Sequence, residues 1–180
     1  MNRLSQLGLV LIAIGALPGC ASLSQKECAA ADWYSIGVRD GANGRGEEYL
    51  AEHAKACAEL DITPDRERWL DGRDRGLERY CTTRNGYRVG EVGGSYNGVC
   101  FANDETSFLR GYDFGRQVHR VKSRLDYVEN EIRSLTQATS KETLTADARN
   151  RLIYRLREYE YERSYLSREY NDLAWRGRSF

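Results

Sequence analysis

Three times in its first two-thirds the chain sets an aromatic residue one turn ahead of two glycines spaced four apart. The copies are Trp33-x3-Gly37-x3-Gly41, Trp69-x2-Gly72-x3-Gly76 and Phe108-x2-Gly111-x3-Gly115. On a helix, each copy puts both glycines on one face, with the aromatic beside that face. Six such glycines cost a set of helices about 5–6 kcal/mol relative to alanine, so packing must offset them. Close backbone approach between helices, with a neighbour's aromatic over the glycine face, is the economical means. The spacing is familiar from membrane helices, but the Asp and Arg residues between these glycines exclude a span.

The rest of the chain reads as helices too. One is expected from Cys28 to about Gly44, where Gly44-Arg45-Gly46 breaks it, and a second from Glu47 to Leu60 with acids in its first turn. Thr63-Pro64-Asp65 starts a third, running to about Cys81. Residues 82–100 carry Gly86, Gly90, Gly94 and Gly98 at every fourth position, with Gly93, Tyr87 and Tyr96 among them. Because each helical glycine costs about 1 kcal/mol, an ordered Gly/Tyr-rich loop or small hairpin is expected there rather than a helix. From Phe108 to about Ala138, Val118, Val121, Leu125, Val128, Ile132 and Leu135 form a heptad seam. After a break at Ser140 to Thr145, Leu152, Leu156, Tyr159, Leu166, Tyr170 and Leu173 form a second, interrupted by Arg163. The two make an antiparallel hairpin. Tyr154, Tyr161 and Tyr165 lie off this seam, which calls for a second burial. Either the cysteine-rich domain of the same chain or another chain supplies it.

The chain opens with a short segment containing Arg3 and then an apolar run from Leu7 to Leu17, interrupted only by Gly8 and Gly15 and ended by Pro18-Gly19-Cys20. The run suits a signal peptide and is too short for a span, which takes roughly 20 residues. Leu17-Pro18-Gly19-Cys20 resembles the lipobox of bacterial lipoproteins. The resemblance implies cleavage before Cys20, lipidation of Cys20 as the link to the membrane, and, with Ala21 next, the outer membrane facing the periplasm. The expected organisation is a signal peptide (1–19), a lipidated tether (20–27), a disulfide-bonded helical and Gly/Tyr-rich domain (28–106) and a helical hairpin (107–180). The fold class is all-α. Of the 27 basic and 27 acidic residues, only Arg3 leaves with the leader, so a net charge near −1 gives no electrostatic reason for a nucleic-acid partner.

Cys28, Cys57, Cys81 and Cys100 are an even set in an exported chain, which reads as two disulfides with three pairings open. An antiparallel hairpin of the first two helices would put Cys28 near Cys57 and leave Cys81 to close the glycine loop with Cys100.

Cys28, Asp32-Trp33, Gly37, Asp40-Gly41, His53, Cys57, Pro64, Gly76-Leu77, Tyr80-Cys81, Gly90, Gly94, Tyr96, Gly98, Cys100, Phe108, Gly111-Tyr112 and Gly115 together resemble an uncharacterised family of envelope lipoproteins, catalogued as domain of unknown function 2799. The resemblance covers about residues 28 to 120. It implies an exported lipoprotein with paired cysteines and no assigned activity.

No catalytic signature emerges. His53-x3-Cys57 has metal-ligand spacing, but an oxidising compartment favours a disulfide at Cys57, so neither metal nor cofactor is expected. His119 should be solvated beside the heptad seam. Gly93-Gly94-Ser95-Tyr96-Asn97 lacks the last glycine of a nucleophile elbow, and the glycine-rich stretch lacks the Lys-Ser/Thr of a phosphate loop. Asp32, Asp40, Asp71 and Asp74 read as surface ion pairs. The expected function is a non-enzymatic structural or protein-interaction module, meeting an envelope protein or further copies of itself through the C-terminal helices, Tyr161 and Tyr165 included. The alternative is a binding module for a cell-wall glycan or peptide at Trp33 and Trp69. An envelope hydrolase ranks third.

Overall fold

The computed structural model describes residues 21–180; the expected signal peptide and Cys20 lie outside the described residues. Among these all regular secondary structure is helical, without a strand. The order is α1 (Gln25–Ala29), α2 (Trp33–Ala42), α3 (Leu50–Cys57), α4 (Arg66–Tyr80), α5 (Thr83–Glu91), α6 (Ala102–Thr139) and α7 (Ala146–Gly177), with 3-10 turns flanking α3. The helix expected from Cys28 to Gly44 is therefore two, parted at residues 30–32. Ser24 caps α1 in a reciprocal box with Glu27, and the new start of α2 falls at Asp32.

The architecture is two helix pairs packed backbone to backbone. In the first, Gly37 and Gly41 of α2 face Gly72 and Gly76 of α4. A Cβ on Gly37 would lie 2.8 Å from the Arg73 nitrogen, and one on Gly76 would lie 2.6 Å from the Ala42 nitrogen. In the second, Gly86 and Gly90 of α5 face Gly111 and Gly115 of α6, and a Cβ on Gly115 would lie 2.7 Å from the Glu91 nitrogen. At all eight glycines the atom nearest the missing Cβ is a carbonyl oxygen, that of the residue three before the partner glycine. The Cα hydrogen in that place therefore points at a carbonyl oxygen, the weak C–H···O contact of closely packed helices. Gly37 meets the Gly72 turn and Gly41 the Gly76 turn, so both members of each pair run the same way.

Parallel neighbours need a return path. Residues 43–65, including α3, supply it in the first pair and residues 92–101 in the second. A disulfide closes each return. Cys28–Cys57 joins the stretches that precede α2 and α4, and Cys81–Cys100 those that precede α5 and α6. Trp69 and Phe108, each three residues before the first glycine of its helix, are fully buried beside these disulfides. The chain is thus one plan used twice: a cysteine, a glycine-faced helix, a return, a second cysteine and a second glycine-faced helix.

The expected loop at 82–100 is corrected by α5. Thr82 caps its first turn through Asn85, and Gly86 and Gly90 form a fourth copy of the repeat. The Gly/Tyr-rich loop is confined to residues 92–101. There Gly93 and Gly98 take positive φ, which glycine adopts without strain.

α6 is 38 residues long, about 57 Å at 1.5 Å per residue. Its first turns belong to the second glycine pair, and the rest forms the antiparallel hairpin with α7. Val118 packs near Leu173, and Leu125 and Val128 against Leu166. Arg124 clamps Glu162 with two hydrogen bonds, at 2.7 and 3.0 Å. The base of the hairpin is tied to α5: the Tyr87 ring covers Gly177 and stacks on Phe180 at 5.6 Å.

Two measurements check this packing. Gly76→Ala and Gly111→Ala should each lower stability in urea unfolding by about 1–3 kcal/mol, because the new methyl meets backbone that cannot move aside; a gain of helix-propensity size at both sites would refute the backbone contact. Replacing both Cys28 and Cys57 with alanine should cost about 3–4 kcal/mol from the loop entropy returned to the unfolded chain.

Candidate functional site

The polar residues of the interior gather where α2, α3 and α4 meet the first described residues. The imidazole of His53 is fully buried. Its Nε2 donates to Asp40 Oδ2 at 2.7 Å, and its Nδ1 lies 2.8 Å from Ser22 Oγ. Asp40 Oδ2 also accepts from Trp69 Nε1 at 2.9 Å. Since Asp40 can only accept, Nε2 carries a proton, and in the neutral ring Nδ1 accepts the Ser22 hydroxyl proton. Tyr49 covers the ring edge-on at 5.0 Å. Beside this cluster the buried Arg73 donates from Nε to the Arg45 carbonyl at 2.8 Å.

Serine, histidine and aspartate in a row are the members of a hydrolytic triad, but the arrangement is closed to a substrate. The ring has no exposed edge, and the Asp40 oxygen that faces it is shared with Trp69. Ser22, half-buried, is bonded to Nδ1 of the same ring. What the cluster does is clasp the N-terminal segment. Ser22 is bonded to His53, and the next residue, Leu23, is 2% exposed in the core with Cys28, Trp33, Ile36, Cys57 and Trp69. The stretch expected to be a polar tether is built into the domain from Ser22 onward.

The two tryptophans proposed as a glycan platform are interior. Trp69 is 0% exposed and Trp33 8%, so neither offers a ring face to a ligand. Asp40, expected on the surface, is buried, whereas Asp32, Asp71 and Asp74 are exposed. Its signal was positional: it lies on the same face of α2 as Trp33, Ile36 and Gly37, the face turned to α4. His119, expected in solvent, is half-buried and bonded through Nδ1 to the Glu91 carbonyl at 3.1 Å. Burial, and the hydrogen bond that Tyr87 donates to Glu91, push the Tyr87 phenol above its ordinary value. No group of three or more His, Cys, Asp or Glu residues able to hold a metal exists among the described residues.

The three tyrosines off the seam of α7 are on the surface. Tyr154 is 67% exposed, Tyr161 80% and Tyr165 57%, with Trp175 at 70%. The cysteine-rich domain does not cover them, which removes the intrachain burial considered for this face. At the foot of α7, Phe114, Trp175, Arg176 and Phe180 line an open cleft of about 630 Å³. Cys20 is not among the described residues.

Residues 32–117 match the family model described as Protein of unknown function (DUF2799). The matched stretch begins one residue before α2 and ends two residues after Gly115, so it takes in both glycine-packed pairs. No curated protein and no solved structure matches the chain.

Asp40→Ala should cost about 3 kcal/mol, because it strands the Trp69 and His53 donors in a buried site. Ser22→Ala removes one bond at the half-buried edge and should cost about 1 kcal/mol. Urea unfolding of the two variants reads both, and equal losses would mean that the cluster is not centred on Asp40.

Proposed function

We propose that this chain, with its DUF2799 domain, is a lipid-anchored envelope lipoprotein facing the periplasm that works through protein contacts rather than catalysis. The observation that carries the reading is the division of its side chains. The groups able to do chemistry, His53, Asp40 and Ser22, are spent on holding the fold, while large aromatics stand exposed along α7. An exposed, rigid aromatic row is what interfaces are made of.

The anchor reading rests on Leu17-Pro18-Gly19-Cys20; the clasp at Ser22 sets how short the link from such an anchor would be. Only Ala21 separates Cys20 from the bonded Ser22. The three residues from Cys20 to the buried Leu23 reach at most about 11 Å. A lipid on Cys20 would therefore hold the first glycine pair directly against the membrane surface, with no free linker. Ala21 after Cys20 favours the outer membrane over the inner.

Two variants test the reading. Cys20→Ser should leave the protein uncleaved or free in the periplasm on fractionation; maturation and membrane partition like those of the parent would remove Cys20 as the anchor. Tyr161→Glu with Tyr165→Glu should leave the melting temperature nearly unchanged, since both rings are exposed, while proteins captured by in-cell crosslinking from α7 disappear. Unchanged capture would take the interaction surface away from this face.

A further inference from the structure

The outer face of α7 carries a second heptad row, opposite the seam that packs on α6. Arg151, Tyr154, Glu158, Tyr161, Tyr165, Arg168, Asp172 and Trp175 follow one another at alternating steps of three and four, and all eight are exposed. Leu152, Tyr159, Leu166, Tyr170 and Leu173 occupy the other side and are covered. Four of the eight, Tyr154, Tyr161, Tyr165 and Trp175, are exposed aromatics at heptad positions, and the other four carry charge, two of each sign.

Its order is self-complementary when reversed. Arg163 stands at the middle, and residues equally far from it on either side form matching pairs. Tyr161 matches Tyr165, ring against ring. Glu158 matches Arg168, acid against base. Tyr154 matches Asp172, a phenol donor against a carboxylate. Arg151 matches Trp175, a guanidinium against an indole face. In an antiparallel coiled coil these are the layers formed between the two helices, and a two-fold axis at Arg163 makes each of them twice. A parallel pairing would instead set Glu158 on Glu158 and Arg168 on Arg168. Among the described residues neither Glu158 nor Arg168 forms an ion pair within its own chain, whereas the neighbouring Glu162 is taken by Arg124 and Asp172 reaches only Arg176, at 3.5 Å.

We propose that α7 is a homodimerisation surface on which a second copy of this chain lies antiparallel, centred on Arg163. The row from Arg151 to Trp175 spans about 36 Å at 1.5 Å per residue. With α6 behind each α7, the dimer is a four-helix arrangement whose two central helices are the α7 pair. The proposal deepens the reading of the chain as a contact module and rests on it, but it does not depend on the anchor.

The test is a charge exchange read by mass. Purified, lipidated chain is brought to sedimentation equilibrium at micromolar concentration in a detergent matched in density by the solvent. The parent should sediment as a dimer. Glu158→Arg sets arginine against Arg168 of the other copy at two places, and Arg168→Glu sets glutamate against Glu158. Each should weaken the dimer by about tenfold or more, with the melting temperature unchanged at dilutions where the parent is monomeric. The double variant carrying Glu158→Arg and Arg168→Glu restores opposite charges only in the antiparallel register, and the dimer should return. A parent that stays monomeric overturns the proposal, as does a dimer indifferent to the single changes, which would be the mark of two chains sharing a micelle. Loss in the single variants without return in the double variant overturns the antiparallel register and the proposal with it. A monomeric parent that still captures another protein through Tyr161 and Tyr165 would sink self-pairing while leaving the contact-module reading standing.

Discussion

Contact between backbones at four glycine pairs is what the rest of the structure depends on. Eight helical glycines cost about 6–8 kcal/mol against alanine. The eight C–H···O contacts that they allow return about 4–8 kcal/mol, so the exchange is near balance before any side chain is counted. The close approach then decides topology. Helices that touch through glycines in the same order run parallel, and parallel neighbours need a return path. Each return is closed by a disulfide at the end where the two helices begin. The aromatic one turn ahead of the glycines fills the space where the helices part, which explains why Trp69 and Phe108 have no exposed surface.

How far this was legible from the chain depends on where the signal was carried. Three copies of the repeat could be read because Trp33, Trp69 and Phe108 mark them. The fourth, at Gly86 and Gly90, has Thr82 and Thr83 where the aromatic would stand, and helix propensity alone made its glycines look like a loop. Propensity is an isolated-helix quantity, and here the cost that it assigns is offset by a contact with α6 that lies 25 residues further on. The hairpin was legible because its seam repeats over many turns. Cys28 meets Cys57 by a different route from the one expected. The first long helix pairs with α4, not with the helix that follows it, and Cys28 sits in a separate short helix ahead of α2.

The buried cluster was the least legible part. Asp40 stands beside Arg39 and looks like any helical surface acid. Its burial follows from Gly37 and Gly41, which let α4 approach so closely that Trp69 reaches the carboxylate. His53 then enters from α3 as a second donor, and its remaining nitrogen is left for Ser22. None of this is periodic, and it depends on four segments far apart in sequence. Yet the result bears on function. The cluster has the membership of a hydrolytic site, but its ring is fully buried, where it ties Ser22 and Asp40 to α3.

The family match ends at residue 117, while α6 continues without a break to Thr139. The glycine-packed pairs are therefore the matched part of the chain, and the hairpin is borne on a helix that is already fixed by them. This has an energetic consequence for whatever lies on α7. A surface carried by a mobile segment must be ordered when it binds, at about 0.5–1.5 kcal/mol per immobilised side chain. The α7 row is ordered in advance: its inner face is packed on α6, its foot is pinned by Tyr87 and Phe180, and Arg124 holds its middle through Glu162. Tyrosine and tryptophan, with two side-chain torsions each, add little further cost. Whatever meets this row meets a helix that needs little further ordering, and the glycine contacts some tens of residues away are the reason.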